Sequence, residues 1–240
     1  MPAPLTNLAT GEVIPDDDAE RTLRALYEQA PGTVRLGMIR AADGAAAGSD
    51  GSARSINGPE DLRALRTLRS WADVVLVGAS TALTDRYRDI GLTAALARAR
   101  AEAGVNPDPL PQLAVVTRHG RLPEGLSPGR TWLITTAAHA AVASYDSVWG
   151  PRVLVVGDDT VDLARAVAEL GARGAARILC EGGPTLASGL LDAGLVDDYC
   201  LTTSAKPGSP AAPRVPPVPE QFTLRHALTG GDFTLERWMR

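Results

Sequence analysis

Short apolar runs with the length of buried strands recur along the chain, and stretches with helical spacing separate most of them. Because strands that alternate with helices usually form a parallel sheet, this pattern predicts a single α/β domain with a mostly parallel sheet. The last two runs are different, since only residues 229–232, which include Gly230-Gly231-Asp232, separate them, and they predict an antiparallel hairpin. The predicted strands cover residues 34–39, 72–77, 113–117, 131–136, 152–156, 178–180, 198–203, 222–228 and 233–238.

The chain is expected to begin with an arm. Its first residues are polar and contain proline and glycine, and a helix with an apolar stripe follows them. We therefore assign residues 1–18 to an N-terminal arm and residues 19–240 to the domain. No internal repeat and no second linker suggests a further boundary.

The stretch from Arg177 to Gly194 predicts a strand, a glycine turn and a helix. Ile178-Leu179-Cys180 is the apolar run, Gly182-Gly183 follows it, and Pro184 suits a first helical position. Residues without a Cβ let a phosphate approach the backbone, and the first N–H groups of the helix would point at it. Glu181 would stand at the carboxyl end of the strand, where open α/β sheets bind their ligands. A tight connection without a ligand is the alternative.

The motif Glu181-Gly182-Gly183-Pro184-Thr185-Leu186, with the segment 190–198 after it, resembles the signature of the riboflavin-pathway pyrimidine reductase family. Members of that family use NADPH, and the resemblance extends over most of the chain. It implies a dihydrofolate-reductase-like single domain, with a mostly parallel mixed sheet flanked by helices and a C-terminal antiparallel hairpin. It also implies that the backbone from Gly183 to Gly189 binds the pyrophosphate, and that the cofactor contacts Gly182, Gly183, Pro184, Thr185 and Leu186.

Three other strand ends supply candidates for the cofactor site. Gly78-Ala79-Ser80-Thr81 is similar to a Gly-Ala-Gly-Thr motif of the family, which implies that Thr81 and Asp85 contact the dinucleotide; a plain helix cap is the alternative. Thr117 ends a predicted strand and Arg118 follows it, at the place where this fold usually meets the adenosine 2′-phosphate, although a basic loop without a ligand fits equally. Gly157 could let the cofactor approach the backbone.

The resemblance also implies contacts with the substrate. Asp43-Gly44 matches the active-site loop of the family, so that Asp43 and Glu181 are the catalytic candidates; a turn alone also explains Asp43. Arg69 matches an arginine that binds the substrate phosphate, and its guanidinium can donate two parallel hydrogen bonds. Glu181 is expected to orient the substrate as well.

The helix that carries Arg69 is predicted to have two different sides. Glu60 and Asp61 suit its start, because acidic side chains interact favourably with the N-terminal end of the helix dipole. The leucines from Leu62 to Leu68 would be buried, whereas Arg63 and Arg66 would form a solvated basic face.

The composition of the chain argues against nucleic-acid and membrane partners. The chain is 45% hydrophobic and 22% charged, as soluble globular proteins are, and its formal charge of -4 argues against a nucleic-acid partner. No apolar run approaches the roughly 20 residues that cross a bilayer. Because there is also no signal pattern, we expect a cytoplasmic protein without a membrane partner. Cys180 and Cys200 are predicted to be buried free thiols, and no metal site is predicted.

The leading hypothesis is an NADPH-dependent reductase of the 5-amino-6-(5-phosphoribosylamino)uracil reductase type, acting on a small-molecule substrate. The resemblance implies hydride transfer to the opened ribosyl carbon of a ribosylaminopyrimidine 5′-phosphate. The protein would position the two reactants and exclude water. The zinc deaminase signature found in some relatives is absent, so the resemblance implies the reductase half alone. It also implies a homodimer.

The chain departs from the family pattern near the expected substrate. Gly37 stands where many members carry a lysine, Arg40 replaces a small hydroxyl residue, and Ala53 replaces a serine that contacts the substrate in relatives. These departures motivate two alternatives. One is an NADPH-dependent reductase of another heterocycle, such as dihydrofolate or a natural-product intermediate, and the other is a nucleotide-binding protein without turnover.

Overall fold

The computed structural model describes residues 3–106, 108–140 and 149–240. Within them lie eleven strands, which are β1 (Leu5–Asn7), β2 (Val13–Ile14), β3 (Thr33–Ala41), β4 (Val74–Gly78), β5 (Gln112–Val116), β6 (Thr131–Thr135), β7 (Val153–Val155), β8 (Arg177–Cys180), β9 (Asp198–Ser204), β10 (Thr223–Gly230) and β11 (Phe233–Met239). They form one sheet in the order β2-β1-β10-β11-β9-β3-β8-β4-β5-β6-β7.

Helices fill most of the connections between the parallel strands. Those in the described ranges are α1 (Arg21–Leu26), α2 (Pro59–Trp71), α3 (Ala79–Thr84), α4 (Ala94–Glu102), α5 (Ala137–Ala140), α6 (Leu163–Ala172) and α7 (Pro184–Asp192). Two short 3₁₀ turns, Ala53–Ser55 and Gly150–Arg152, lie in longer connections.

The sheet has a parallel side and an antiparallel side. The strands from β9 to β7 in the sheet order run parallel, and helices such as α2 and α7 make the crossovers that parallel strands need. From β9 outward, β11, β10, β1 and β2 pair antiparallel. The hairpin of β10 and β11 turns at Gly231-Asp232, with Gly230 opposite Phe233. The predicted mixed sheet with its C-terminal hairpin is confirmed.

Residues of the central strands alternate between two cores, one on each face of the sheet. Val74 and Leu76 of β4 belong to the core that α6 and α7 cover. Val75 and Val77 belong to the core that α1 and α2 cover. Because both faces are covered, β4 is apolar from Val74 to Val77, as the apolar run in residues 72–77 predicted.

Part of the expected N-terminal arm joins the sheet. β1 pairs with β10 and β2 pairs with β1, and the side chains of Leu5 and Ile14 are buried. Residues 1 and 2 lie outside the described part of the chain. The arm thus adds two short strands to the antiparallel side.

The predicted faces of α2 are wrong at two residues. Leu62 is 37% exposed, whereas Arg63 is buried and donates from Nε to Glu20 Oε1 at 2.6 Å. The guanidinium also donates to the Pro15 carbonyl, so a counter-charge and a second acceptor make its burial tolerable. Arg63 therefore ties α2 to the segment before α1, and Arg66 alone of the two arginines is exposed as predicted.

A buried cluster of charges fixes the end of α1 beside the sheet. Arg35 of β3 donates from Nε to Asp198 Oδ2 at 2.8 Å, and Arg237 of β11 donates from Nη2 to the same oxygen at 2.9 Å. Both guanidinium groups also donate to the main-chain carbonyls of residues 26–28, which lack intrahelical partners. These bonds hold Tyr27 where it lines the cleft described next.

Candidate active site

A cleft of about 790 Å³ opens at the carboxyl ends of β4, β5 and β8. Gly78, Thr117 and Glu181, at the ends of these strands or just after them, line it, in the usual position of a ligand site in an α/β sheet. We call one side the glycine-turn half; its lining residues fall within 78–85, 116–121, 160–163 and 183–186. The other side is the α2 half, with lining residues within 37–39, 46–53, 61–68 and 200–202.

Gly182 and Gly183 bring the backbone between β8 and α7 close to its neighbours. The Gly182–Gly183 peptide is cis, and the Gly78 N–H donates to the Gly182 carbonyl at 2.7 Å. A Cβ on Gly182, where φ is +95°, would lie 2.8 Å from Met38 Sδ. A Cβ on Gly183 would lie 2.5 Å from Thr81 Oγ1. Only glycine fits these two positions without displacing a neighbour.

The first residues of α7 face the cleft. Gly183 is the N-cap of the helix, Pro184 is its first residue as predicted, and no side chain caps the helix start. Pro184, Thr185 and Leu186 line the glycine-turn half together with Gly183, whereas Gly182 shapes the turn behind them. Helix-start N–H groups without partners suit a phosphate, so this part of the prediction has the geometry that it requires.

Thr81 lies within the short helix α3, and Asp85 directly follows it. Thr81 is in α3 beside Gly183, and Asp85 is the C-cap of α3. Both line the glycine-turn half. Asp85 Oδ1 accepts a hydrogen bond from Ser52 Oγ at 2.6 Å. Since Ser52 belongs to the connection between β3 and α2, Asp85 links the two halves of the cleft.

The end of β5 presents positive charge to the cleft. Thr117 is buried, and its Oγ1 accepts from the Gly120 N–H at 2.9 Å, so its hydroxyl shapes the loop. Arg118, His119 and Arg121 line the cleft from that loop, and all three are exposed. Such a cluster suits a phosphate at the rim of the cleft.

Gly157 is not among the residues that line the cleft. Its φ is +83°, and a Cβ there would collide with the Thr160 carbonyl oxygen. The residue therefore permits the tight turn that presents Thr160 and Val161 to the cleft. A direct approach of a ligand to its backbone is not part of this geometry.

Glu181 is held by residues from two other elements. Arg69 of α2 donates from Nε to Oε1 at 2.7 Å and from Nη2 to Oε2 at 2.6 Å. The Tyr87 hydroxyl, just beyond α3, donates to Oε2 at 2.6 Å. The side chain of Glu181 is 3% exposed and that of Arg69 is 20% exposed. The two residues predicted to contact the substrate are therefore bonded to each other.

Glu181 stabilises the protonated forms of both Arg69 and Tyr87. Burial works to lower the pKa of Arg69, but the Glu181 carboxylate outweighs it and raises that pKa, so the guanidinium stays charged. Burial raises the pKa of Tyr87, and the negative charge of Glu181 raises it further. Tyr87 thus keeps its proton and remains a donor to Glu181. The Arg69 guanidinium also lies 5.8 Å from the centre of the Tyr87 ring.

Asp61 is a candidate that sequence reasoning missed. It lies in the first turn of α2, is 7% exposed, and lines the α2 half of the cleft. Burial raises its pKa to about 6, with a contribution from the nearby Glu181 charge, while hydrogen bonding to Thr202 and the charge of Arg69 act in the opposite direction. A perturbed carboxyl group in a cleft is typical of a functional site. Since an acid at a helix start needs no ligand to explain it, the sequence carried no signal for this role.

The structure does not bring Asp43 to the other predicted residues. Its side chain is 48% exposed, lies 3.7 Å from Arg214 Nη1, and lines neither cavity described here. Asp43 Oδ1 accepts from the Ala45 N–H at 3.0 Å. In this arrangement Asp43 shapes the turn after β3.

A second cavity of about 220 Å³ adjoins the cleft and shares Ala53, Asp85 and Tyr87 with it. Arg69 reaches it, although the two bonds to Glu181 use only Nε and Nη2 of its guanidinium. Arginines predominate among its charged residues, which are Arg54, Arg69, Asp85, Arg86, Arg88 and Asp89.

The two cysteines and the acidic groups do not form a metal site in the described ranges. Cys180 and Cys200 are free and buried, as predicted, and burial raises the pKa of both thiols. Among the residues described, no group of three or more His, Cys, Asp or Glu side chains could hold a metal ion. No helix in the same residues has the length and apolar character needed to cross a membrane.

The sheet order, the glycine turn at its carboxyl edge and the cleft beside it define a dihydrofolate-reductase-like α/β protein. The family described as RibD C-terminal domain matches residues 32–220. The chain belongs to this family, and the resemblance inferred from residues 181–198 is confirmed.

Two curated relatives are both named 2,5-diamino-6-ribosylamino-4(3H)-pyrimidinone 5′-phosphate reductase. The protein of Archaeoglobus fulgidus is 32% identical over 143 residues, which is 58% of this chain and 64% of the relative. That of Methanothermobacter thermautotrophicus is 33% identical over 167 residues, 69% of this chain and 74% of the relative. The matched part is thus less than two thirds of the first relative.

Solved structures support the same fold. A pyrimidine reductase-like protein from Corynebacterium diphtheriae superposes with a TM-score of 0.75 at 23% identity, covering 91% of this chain and 98% of the other. Dihydrofolate reductase from Enterococcus faecalis, complexed with NADP(H), superposes with a TM-score of 0.52 at 12% identity, covering 88% and 97%. The expected fold class is confirmed.

Proposed function

We propose that the protein is an NADPH-dependent reductase of a ribosylaminopyrimidine 5′-phosphate. The observation that carries the proposal is the start of α7, which lines the cleft without a side-chain cap and where Thr81 Oγ1 lies so close to Gly183 that no Cβ would fit. Helix-start N–H groups without partners suit the pyrophosphate of a dinucleotide. The names of the two curated relatives supply the substrate class.

The glycine-turn half fits a bound NADPH. Gly183, Pro184, Thr185 and Leu186 would hold its pyrophosphate through backbone N–H groups. Thr81 and Asp85 would contact the same dinucleotide, and Arg118 would pair with the 2′-phosphate that distinguishes NADPH from NADH. Bound there, the cofactor would supply a hydride to an electrophilic carbon of the substrate.

The residues between the two halves position the substrate. Glu181 lines the cleft with its carboxylate fixed by Arg69 and Tyr87, so it offers a preorganised acceptor to N–H or O–H groups of the substrate. Asp43 would act only indirectly, by ordering the turn after β3 through its bond to the Ala45 N–H.

The second cavity is the place that we assign to the substrate phosphate. Arg69 would reach the phosphate with the part of its guanidinium that Glu181 does not engage, and Arg54, Arg86 and Arg88 line the same cavity. This assignment lets Arg69 keep its predicted role at the substrate phosphate while it also pairs with Glu181. In this assignment the arginines also replace the hydrogen bond to the substrate that a serine would donate and that Ala53 cannot.

One observation favours a second candidate, a reductase of another heterocycle such as dihydrofolate. Gly37 lines the α2 half without a side chain, and a Cβ there would already lie 3.2 Å from Leu179 Cδ1 and 3.3 Å from Leu68 Cδ1. The expected lysine is therefore replaced by a flat, apolar wall. Such a wall packs against a flat heterocyclic ring and offers no positive charge to a phosphate.

The test compares cofactor binding and turnover in the same protein. We expect NADPH to bind at least tenfold more tightly than NADH by calorimetry, and NADPH oxidation to follow addition of the ribosylaminopyrimidine 5′-phosphate. Oxidation with dihydrofolate alone would favour the second candidate. Tight NADPH binding without oxidation of any heterocycle would favour a nucleotide-binding protein without turnover.

A homodimer also belongs to this proposal, with the antiparallel side of the sheet as its contact surface. Light scattering after size exclusion should then give twice the 25.0 kDa of one chain. A mass of one chain at micromolar concentration would reject it. Fractionation of the source cells would test the cytoplasmic location that we propose.

A further inference from the structure

Asn57 and Gly58 form an Asn-Gly step in the connection directly before α2. The Gly58 backbone nitrogen lies 2.5 Å from the Oδ1 atom of the preceding Asn57 side chain. Since a C=O bond is about 1.23 Å long, Cγ of the Asn57 carboxamide lies at most about 3.7 Å from that nitrogen. Well-oriented groups react from separations of about 3–3.5 Å. The main chain is thus placed close to attack on its own side chain.

Glycine leaves the attacking nitrogen unhindered, and packing explains why a glycine stands there. A Cβ on Gly58 would lie 2.5 Å from Cε2 and Cζ of the Phe233 ring, so a larger residue would have to displace that ring. Asn57 is only half-buried, which lets water reach its carboxamide. The nucleophile, the carboxamide and the water that a deamidation needs therefore meet at this step.

A positive charge acts on the peptide group that would react. The Lys206 ammonium donates to the main-chain carbonyl of Asn57, which shares one peptide group with the Gly58 nitrogen. When that nitrogen loses its proton, part of the negative charge moves to the carbonyl oxygen. A positioned donor stabilises charge that develops at such an oxygen, so Lys206 makes the nitrogen easier to deprotonate.

We propose that Asn57 is a site of self-catalysed deamidation. Solvent hydroxide removes the Gly58 N–H proton, the nitrogen forms a bond to Asn57 Cγ, and the bond from Cγ to Nδ2 breaks. The leaving nitrogen takes a proton from water and departs as ammonia, which regenerates the hydroxide. Water then opens the five-membered imide at either carbonyl and gives aspartate or isoaspartate. The sum is hydrolysis of one carboxamide by one water molecule, without an oxidant or a reductant.

The product places a negative charge in the second cavity. Asn57 lines this cavity together with Arg54, Arg86 and Arg88. A carboxylate there competes with an anionic ligand for the arginines, and an isoaspartate also adds a methylene to the main chain before α2. This consequence rests on the proposed function, which assigns the substrate phosphate to the second cavity, whereas the deamidation itself does not. Deamidation thus converts the chain to a form that rejects phosphorylated substrates.

Peptide mapping by mass spectrometry tests the reaction. The full chain is incubated folded and in concentrated urea at the same mildly alkaline pH, and both samples are digested at intervals. Asn7 and Asn106 are internal controls, because a leucine follows Asn7 and a proline, which has no N–H, follows Asn106. Lys206→Met and Lys206→Arg are incubated in the same way.

We expect exchange of the carboxamide NH₂ for OH at Asn57 alone among the asparagines of the folded chain, with aspartate and isoaspartate in the product peptides. The folded chain should react at least threefold faster than the chain in urea. Lys206→Met should slow the folded chain at least threefold, and Lys206→Arg, which keeps a positive donor, should restore most of the rate. An unmodified Asn57, or a reaction equally fast in urea or in Lys206→Met, would overturn the proposal.

Titration with inorganic phosphate in a calorimeter measures the consequence apart from turnover. Asn57→Asp represents the deamidated form, and Asn7→Asp adds the same charge outside the cavity. Asn57→Asp should weaken phosphate binding at least tenfold, whereas Asn7→Asp should keep the wild-type affinity. Unchanged binding in Asn57→Asp, or no phosphate binding to the wild type, would overturn the effect on the cavity.

NADPH oxidation by the same proteins separates this inference from the proposed function. Deamidation of Asn57 in a chain that oxidises NADPH with no heterocycle would support the modification site and reject the reductase. Oxidation with the ribosylaminopyrimidine 5′-phosphate by a chain whose Asn57 stays intact would support the reductase and reject the modification site.

Discussion

The guanidinium of Arg69 and the carboxylate of Glu181 meet in a two-pronged ion pair, with Nε–Oε1 and Nη2–Oε2 distances of 2.7 and 2.6 Å. One residue is near the end of α2 and the other directly follows β8. The pair therefore fixes the helix against the turn that begins the glycine-turn half. It also gives Glu181 one orientation toward the cleft before any substrate enters.

Replacing Glu181 with Gln should destabilise the protein without disturbing its shape. The amide keeps the size of the side chain but leaves the largely buried Arg69 charge without a counter-ion. Breaking such a pair from one side costs roughly 3–5 kcal/mol when it is fully buried, and we expect about 2–4 kcal/mol here because Arg69 is partly exposed. Thermal and urea unfolding would measure the loss.

Tyr87→Phe is the matched control for that experiment. It removes one hydrogen bond to Glu181 Oε2 and keeps the ring beside Arg69, so it should cost only about 1 kcal/mol. If Glu181→Gln were no less stable than Tyr87→Phe, the ion pair would contribute little. Glu181 would then be explained by the substrate alone.

The sequence identified Arg69 and Glu181 separately but not their pairing. The motif around Glu181 and the helix pattern around Arg69 are local signals, and each is strong. Their contact joins residues that are 112 positions apart, and no local pattern determines such a distance. The same limit explains why the burial of Arg63 was not predicted, since its partner Glu20 lies outside α2.

Glu60 and Asp61 show that local sequence also cannot assign different roles to adjacent residues. Both suit the start of α2, and their local sequence does not distinguish one from the other. Because successive helical side chains point about 100° apart, Glu60 turns to the N-terminal arm and accepts from the Ala3 N–H at 2.6 Å, whereas Asp61 turns to the cleft. Which of the two faces a ligand depends on how α2 packs on the sheet.

Gly183→Ala should weaken NADPH binding at least tenfold. The added Cβ would lie 2.5 Å from Thr81 Oγ1, so either the glycine turn or Thr81 must move. Gly171→Ala is the control, because a Cβ there meets nothing within 4 Å. The Gly183→Ala/Thr81→Ala double variant removes the collision and should regain most of the lost stability without regaining NADPH affinity. Wild-type NADPH affinity in Gly183→Ala would reject the assigned pyrophosphate site.

Arg118→Ala should change the choice between the two nicotinamide cofactors. Loss of a charge-assisted bond to the 2′-phosphate corresponds to about 1.5–3 kcal/mol, or roughly 10- to 100-fold in affinity for NADPH. Affinity for NADH, which lacks that phosphate, should change less than threefold. Arg98→Ala, an exposed arginine of α4, serves as the control. An equal loss for both cofactors would place Arg118 at a phosphate that they share.

Asp61→Asn should stabilise the protein at neutral pH. Burial, the main cause, raises the pKa of Asp61 to about 6 in the folded protein from an ordinary value of 3.8. Protons therefore bind the folded state more tightly, and Asp61 favours folding in acid. That contribution disappears as the pH rises through the folded pKa, because the carboxylate must then be buried in its charged form. Asn has no such charge.

The difference in unfolding free energy between Asp61→Asn and the wild type should thus move in favour of the variant as the pH rises. From about pH 4 to about pH 7 the shift should be roughly 2 kcal/mol. Urea unfolding of both proteins across that range measures it, and Asp18→Asn should show no shift of this size, since Asp18 is exposed. A constant difference across the range would mean that Asp61 titrates like an exposed acid. A stabilising substitution of a residue that lines the cleft is the pattern expected of a binding site that sacrifices stability for function.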